Sequence, residues 1–219
     1  MRLMAETEKK NKNKKKKKAR KTPPTWGFKL FTFFMRPYFK LVYNPKIIGG
    51  ENIPAEGPII IAGNHIHILD QCHAINSTKR AINFMAKREY FEGKMTWFFK
   101  FTGCIPVNRT GTDLEAIKAG LSVLKKGGAI GIFPEGTRNK TDAFIQPFKA
   151  GAVAMAKKTG AYIVPFGITG DYKFRSKNLV ARFGEPFKVG DMTIEEANDK
   201  LFNTVKSLME ENLKEQNAQ

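Results

Sequence analysis

The three histidines of this 219-residue chain fall within nine positions, in the run Asn64-His65-Ile66-His67-Ile68-Leu69-Asp70-Gln71-Cys72-His73. His65 and Asp70 form a candidate pair of base and orienting carboxylate. A carboxylate that accepts the proton of one imidazole nitrogen fixes the tautomer and raises basicity at the other. On a continuous helix, residues five apart point about 140° away from each other, so a turn must bring the two together. A metal centre is the competing reading, because His65-x-His67 with Asp70 and His73 has the look of a binuclear hydrolase motif. Such centres draw ligands from several strand ends, and no histidine follows His73. No metal is therefore expected.

Two more runs carry chemistry. Gly103-Cys104-Ile105-Pro106-Val107-Asn108-Arg109 ends a short apolar stretch in Asn and Arg, and an arginine fork suits a phosphate. Alone this is a weak signal. Gly131-Ile132-Phe133-Pro134-Glu135-Gly136-Thr137-Arg138 places a carboxylate, an exposed backbone and a guanidinium within one turn. Glu135 can meet substrate hydroxyls or pair with Arg138, and Gly136 permits close backbone approach. Downstream, Phe148-Lys149-Ala150-Gly151 opens a helix where Lys149 can also meet an anion. Val164-Pro165-Phe166 sits at another strand end.

The elements that must hold these runs alternate. Pro58 to Ala62 is an apolar run that reads as a strand buried on both faces. Lys46 to Gly49, Ala81 to Met85, Ile105 to Asn108, Ala129 to Phe133, Ala161 to Ile168 and Leu179 to Phe183 are further strand candidates. Between them, Thr112 with Glu115 reads as a capping box opening a helix that ends at Gly127. Gly151 to Lys158 is an Ala-rich helix, and Thr193 with Glu196 opens a last helix to about Leu213. The fold class predicted is α/β, with a largely parallel or mixed central sheet flanked by helices. The candidate residues then lie where sites assemble in such sheets, at the carboxyl ends of strands.

Charge is unevenly placed. Of the formal +18, half belongs to residues 1–21, which hold 11 basic and 2 acidic side chains. With no apolar face, residues 1–24 read as a disordered polybasic arm. Residues 25–44 follow as a strongly aromatic segment whose polar residues Lys29, Thr32, Arg36 and Lys40 share one helical stripe. Pro37 is expected to split it into two short helices. No run of 18 apolar residues occurs, so the segment reads as an interfacial membrane anchor rather than a span. Its alternative is a helix packed on the protein's own core. Eighteen Phe and 42% hydrophobic residues exclude a wholly disordered chain, and two cysteines exclude a disulfide scaffold. Residues 45–219 make one domain.

Asn64-His65-x4-Asp70, the run ending at Arg109, Phe133-Pro-Glu-Gly-Thr-Arg138 and Val164-Pro165, in that order, resemble the four blocks of the glycerolipid acyltransferases, and among them the bacterial 1-acylglycerol-3-phosphate acyltransferases. The resemblance covers roughly residues 46–190. His67 stands where Ser is common, and Asn139 follows Arg138 where Ser is common. The resemblance implies His65 as base and Asp70 as its partner, Arg109 and Arg138 on the acceptor phosphate, and Glu135 and Gly136 in the glycerol site, with Asn64, Thr137 and Lys149 as further candidates for substrate binding. It implies lysophosphatidic acid as acceptor and acyl-CoA or acyl carrier protein as donor, with no cofactor. Anionic membrane lipids on the cytoplasmic face are the expected partner, and nucleic acid is not. The oxyanion donors are guessed to be amides near Val107 and Asn108. A Cys-dependent acyl-enzyme using Cys72 or Cys104 is the rival chemistry.

Overall fold

The computed structural model describes residues 25–108, 111 and 113–217. The expected polybasic arm, Arg109 and Thr112 lie outside the described residues. In chain order the elements are α1 (Thr25–Tyr43), β1 (Lys46–Ile48), β2 (Ile59–Gly63), α2 (Gln71–Ser77), β3 (Ile82–Lys87), α3 (Thr96–Phe101), β4 (Ile105–Val107), α4 (Leu114–Lys125), β5 (Ala129–Ile132), α5 (Gly151–Thr159), β6 (Tyr162–Thr169), β7 (Val180–Phe183) and α6 (Ile194–Asn217). The seven strands form one mixed sheet in the order β1-β7-β6-β2-β5-β3-β4. Every pairing is parallel except that between β6 and β7. Strand β2 lies in the centre, with Ile60 opposite Ile130 of β5 and Ile163 of β6.

Alternation along β2 divides the core into two layers. Ile60 and Ala62 pack with Ile130, Ile163, Val123, Val153, Leu201 and Val205 beneath α4, α5 and α6. Ile59 and Ile61 pack with Ala74, Ile75, Val164, Phe166 and Phe28 on the side of α1 and α2. Because both faces are covered, β2 is uniformly apolar and buried. Burying each large side chain contributes about 1.5–3 kcal/mol.

Three helix ends refine the sequence reading. The cap of α4 is Asp113, whose carboxylate accepts from the amides of Glu115 and Ala116. A carboxylate there also meets the positive end of the helix dipole. The capping box at α6 forms in both directions, with Glu196 N–H donating to Thr193 Oγ1 at 3.1 Å and Thr193 N–H donating to Glu196 Oε2 at 2.7 Å. That helix runs past Leu213 to Asn217. Arg182 of β7 secures its last turns by donating to Asn212 Oδ1 at 3.1 Å and Glu215 at 2.7 Å.

The two helices expected around Pro37 are one helix, α1. Proline removes a single backbone donor here, and contacts on both sides of it hold the helix to the body. Phe28 and Phe39 are buried. Arg36 donates to the carbonyls of Ile75 and Thr78 at the end of α2, at 3.0 and 2.6 Å, where a cation also favours the helix dipole. The polar stripe is thus partly internal, with Thr32 buried and Arg36 turned inward. The aromatic face points outward instead: Trp26, Leu30, Phe33, Phe34, Tyr38 and Leu41 are exposed, Phe33 by 72%. Beside it stand exposed Met95, just before α3, and Trp97 on α3, linked through edge-to-face contact of Trp26 with Phe101 at 4.8 Å. Among the described residues no helix is long and apolar enough to cross a membrane.

Candidate active site

The carboxyl ends of the parallel strands β2, β3, β4, β5 and β6 share one edge of the sheet, so the loops after them converge. The loop after β2 carries His65. Between His67 and Asp70 the chain turns, with Asp70 N–H donating to His67 O at 3.2 Å, and α2 begins immediately after. The turn folds the Asp70 carboxylate back on its own loop. Oδ2 lies 2.7 Å from His65 Nδ1 and accepts the amides of Ile66 and His67 at 2.7 and 2.8 Å. Asp70 is fully buried. A carboxylate oxygen facing Nδ1 orients the imidazole with its proton on Nδ1, which leaves the Nε2 lone pair available.

The loop after β5 grips His65. Phe133 stacks on the imidazole with ring centres 4.2 Å apart. Glu135 Oε1 accepts the His65 amide at 2.6 Å, and Asn139 N–H donates to the His65 carbonyl at 2.7 Å. Glu135 Oε2 accepts the amide of Gln146 at 3.1 Å. Both carboxylate oxygens of Glu135 therefore face backbone, not the cavity. Burial pushes its carboxyl up to about 6, with the two amide hydrogen bonds opposing and nearby Asp70 adding to the rise. Gly136 takes a left-handed φ of 74°, and the Lys149 stem lies across it where a Cβ would crowd.

His65, Asn108, Gly136 and Lys149 share the wall of a cavity of about 570 Å³. Its other lining residues include Met85, Ala116, Ile117, Ile132, Ala154 and Met155. That volume lies within the range of small-molecule sites, and the apolar lining suits a hydrocarbon chain. His65, Gly136 and Lys149 are thus brought together as the sequence suggests. Burial chiefly disfavours protonation of His67, against the opposing charge of Asp70, and half-buried Arg138 adds to the effect. Thr137 is exposed. Asn64 is buried behind the site, where its amide donates to and accepts from the backbone of Ile168 at 2.9 and 2.7 Å. Both ends of that amide join β2 to β6 and none faces the cavity. The guessed oxyanion donor at Asn108 is also engaged, because its amide donates to Asp113 Oδ2 at 2.8 Å. Arg109 lies outside the described residues.

The three imidazoles do not converge on a cation position. His73 turns to Tyr172 and His67 stacks on the same ring, with centres 4.0 Å apart. Among the described residues no three His, Cys, Asp or Glu side chains could hold a metal ion together. The cysteines are poor nucleophiles. Burial pushes the Cys72 thiol up to about 12 and the Cys104 thiol up to about 11, so neither forms a thiolate near neutral pH. Sequence reasoning missed Phe133, Asn139 and Tyr172 as neighbours of the pair. Phe133 and Tyr172 follow the ends of β5 and β6, at the sheet edge that carries His65, but no spacing in the sequence ties them or Asn139 to the pair.

A family model described as Acyltransferase matches residues 44–169. The 1-acyl-sn-glycerol-3-phosphate acyltransferase of Bacillus subtilis is 32% identical over 152 residues, which are 67% of this chain and 75% of that protein. The protein of the same description from Borreliella burgdorferi is 34% identical over 145 residues, 63% of this chain and 56% of its own length. Against the chloroplastic 1-acyl-sn-glycerol-3-phosphate acyltransferase BAT2 of Brassica napus the identity is 33%, and the chain covers 39% of that relative. The crystal structure of the 1-acyl-sn-glycerophosphate acyltransferase PlsC from Thermotoga maritima superposes with a TM-score of 0.69 at 24% identity, over 84% of this chain and 78% of that one. It shares the fold.

Proposed function

Because this chain belongs to the acyltransferase family, we propose that it transfers a fatty acyl group from a thioester to the sn-2 hydroxyl of 1-acylglycerol 3-phosphate, forming phosphatidate. The observation that carries this reading is the His65–Asp70 pair, with His65 at the wall of a largely apolar cavity. His65 Nε2 takes the hydroxyl proton as the oxygen attacks the thioester carbonyl. The tetrahedral adduct collapses, the C–S bond breaks, and the imidazolium returns the proton to the departing thiolate. Asp70 stabilises the imidazolium between these steps. A thioester is already activated, so positioning supplies much of the rate and no acyl-enzyme is required.

The acyl chain of the donor occupies the cavity between α4 and α5, against Ile117, Ala154 and Met155. Lys149 and Arg138 receive the acceptor phosphate, joined by Arg109 as the family resemblance suggests. The exposed aromatic face of α1, with Trp97 and Met95, lies on the lipid surface from which both substrates come. Basic residues of the arm add about 1 kcal/mol each near anionic lipid. The chain would then work at the cytoplasmic face of the cell membrane without crossing it.

Purified chain on vesicles containing phosphatidylglycerol tests this directly. The acceptors are 1-acylglycerol 3-phosphate and glycerol 3-phosphate, each with acyl-CoA and acyl carrier protein thioester. Phosphatidate from the first acceptor with at least one donor is the expected product. Acylation of glycerol 3-phosphate alone would overturn the acceptor assignment, and thioester hydrolysis without transfer would overturn the reaction.

A further inference from the structure

The Asp70 carboxylate has a second oxygen, and the base mechanism makes no use of it. Oδ1 accepts the phenol O–H of Tyr172 at 2.5 Å. Tyr172 stands in the loop after β6, over a hundred residues from the motif it touches. Its ring also lies flat on His67, and its oxygen is 3.0 Å from Nε2 of His73.

The proton order in this group follows from its stoichiometry. Tyr172 has one hydroxyl proton, and it goes to Asp70 Oδ1, the nearer acceptor. His73 must therefore donate to the phenol oxygen from Nε2–H. Among the described residues its Nδ1 is buried with no hydrogen-bond partner, so no acceptor is there to hold a proton on that nitrogen. Burial pushes His73 down to about 4, despite Asp70 nearby, so the imidazole stays neutral at physiological pH. The chain of donors runs from His73 through Tyr172 to Asp70, and a second one runs from His65 to the same carboxylate.

The fold holds Tyr172 there from two sides. Its loop starts at Gly170, with a φ of 93°, where a Cβ would collide with the Asn178 carbonyl. Arg175 N–H then donates to the Val42 carbonyl at the end of α1 at 2.7 Å. The inner face of α1 supplies Phe39 against His73 and Tyr43 against Tyr172, with ring centres 5.1 and 5.6 Å apart. Around the pair stand Glu135 at the His65 amide, His67 and Arg138 on one flank, and Cys72 at the start of α2. Among the described residues none of these donates to Oδ1.

We propose that Tyr172 is a positioning residue for the acyl transfer: by holding Asp70 Oδ1 it locks the carboxylate with Oδ2 on His65 Nδ1 and sets how much negative charge the imidazole feels. Without that donor, only groups on Oδ2 (the Ile66 and His67 amides and His65 Nδ1) restrain rotation of the carboxylate, and among the described residues Oδ1 is left without a partner. More charge would then remain on Oδ2, which raises the proton affinity of His65. This inference rests on the acyltransferase reading of the site for its kinetic consequences, but not for its electrostatic one.

Two replacements at Tyr172 test it. Tyr172→Phe removes the donor, and site-specific 3-fluorotyrosine is nearly isosteric and donates more strongly. The first readout is the imidazole N–H proton resonance of His65 in lipid nanodiscs, assigned by its loss in His65→Ala. It should move downfield in Tyr172→Phe and upfield with fluorotyrosine. The second is the pH profile of phosphatidate formation. The acid limb of kcat/KM should rise in pH for Tyr172→Phe and fall for fluorotyrosine. The plateau kcat of Tyr172→Phe should drop about tenfold, a single hydrogen bond's worth, with acceptor KM within about twofold. A His65 resonance at its wild-type position in both variants overturns the inference, whether or not the protein acylates this acceptor. A shifted resonance with wild-type kinetics in an active enzyme overturns the positioning role.

Discussion

Glu135→Gln is the substitution that best separates holding the site from binding the substrate. The carboxylate accepts two amides, from His65 at 2.6 Å and from Gln146 at 3.1 Å. Glutamine has one acceptor oxygen, and the shorter contact will keep it. Its NH2 group then opposes the Gln146 N–H, leaving a buried donor unpaired at a cost of about 1–3 kcal/mol. For a chain of this size, about 2 kcal/mol lowers Tm by roughly 4–8 °C. The penalty depends on pH with a defined sign. Burial holds the Glu135 carboxyl at about 6, above its ordinary 4.5. Between these values the folded state binds more protons than the unfolded state, so wild type loses stability as pH rises through that window. The shift corresponds to about 2 kcal/mol. Glutamine does not titrate, so the Tm gap between the two proteins should be widest near pH 4.5 and narrow by pH 7. Melting curves at both pH values, with steady-state kinetics at pH 7, are the assay. Acceptor KM should stay within about twofold while kcat falls, because the loop that holds His65 has lost its tie to the Gln146 amide. A large rise in acceptor KM with unchanged melting at both pH values would refute this reasoning and place Glu135 on the substrate.

Further predictions follow from the cavity, the outer helix face and the thiols. Ala154→Phe fills part of the cavity and should lower kcat/KM for a sixteen-carbon donor about tenfold more than for an eight-carbon donor; equal losses across a donor series would count against the acyl-chain assignment. The double variant Phe33→Asp/Leu41→Asp changes two exposed positions, so Tm should hold while sedimentation with anionic vesicles weakens at least about tenfold. Undiminished vesicle binding would remove α1 from the lipid surface. Cys72→Ala/Cys104→Ala should retain turnover, since both thiols are held protonated by burial. A folded double variant without activity would revive the acyl-enzyme route.

Much of the sheet was legible because buried parallel strands leave apolar runs of characteristic length. Ile59–Gly63, Ala129–Ile132 and Val180–Phe183 fall within a residue or two of the runs read from sequence. Strand ends likewise carry His65 and the Phe133–Arg138 turn, so the general location of the site followed from strand order. The finer roles did not. Asn64 and Glu135 look the same in sequence whether they touch a ligand or a backbone group, and Ile168 and His65, distant from them in the chain, decide between these. Pro37 marks a lost backbone donor but not the Arg36 and Phe39 contacts that keep α1 continuous. The polar stripe of α1 reads as solvent-facing until α2 offers its terminal carbonyls to Arg36. Tyr172 escaped because a single tyrosine after a strand has no spacing pattern, and its partner lies a hundred residues earlier.

The proposed acyl transfer depends above all on His65 as the base. Single-turnover phosphatidate formation by vesicle-bound His65→Ala, compared with wild type at equal Tm and equal acceptor binding, measures that role. Loss of at least about a hundredfold in rate, with binding retained, is the predicted result. A folded His65→Ala protein that forms phosphatidate at the wild-type rate would contradict it.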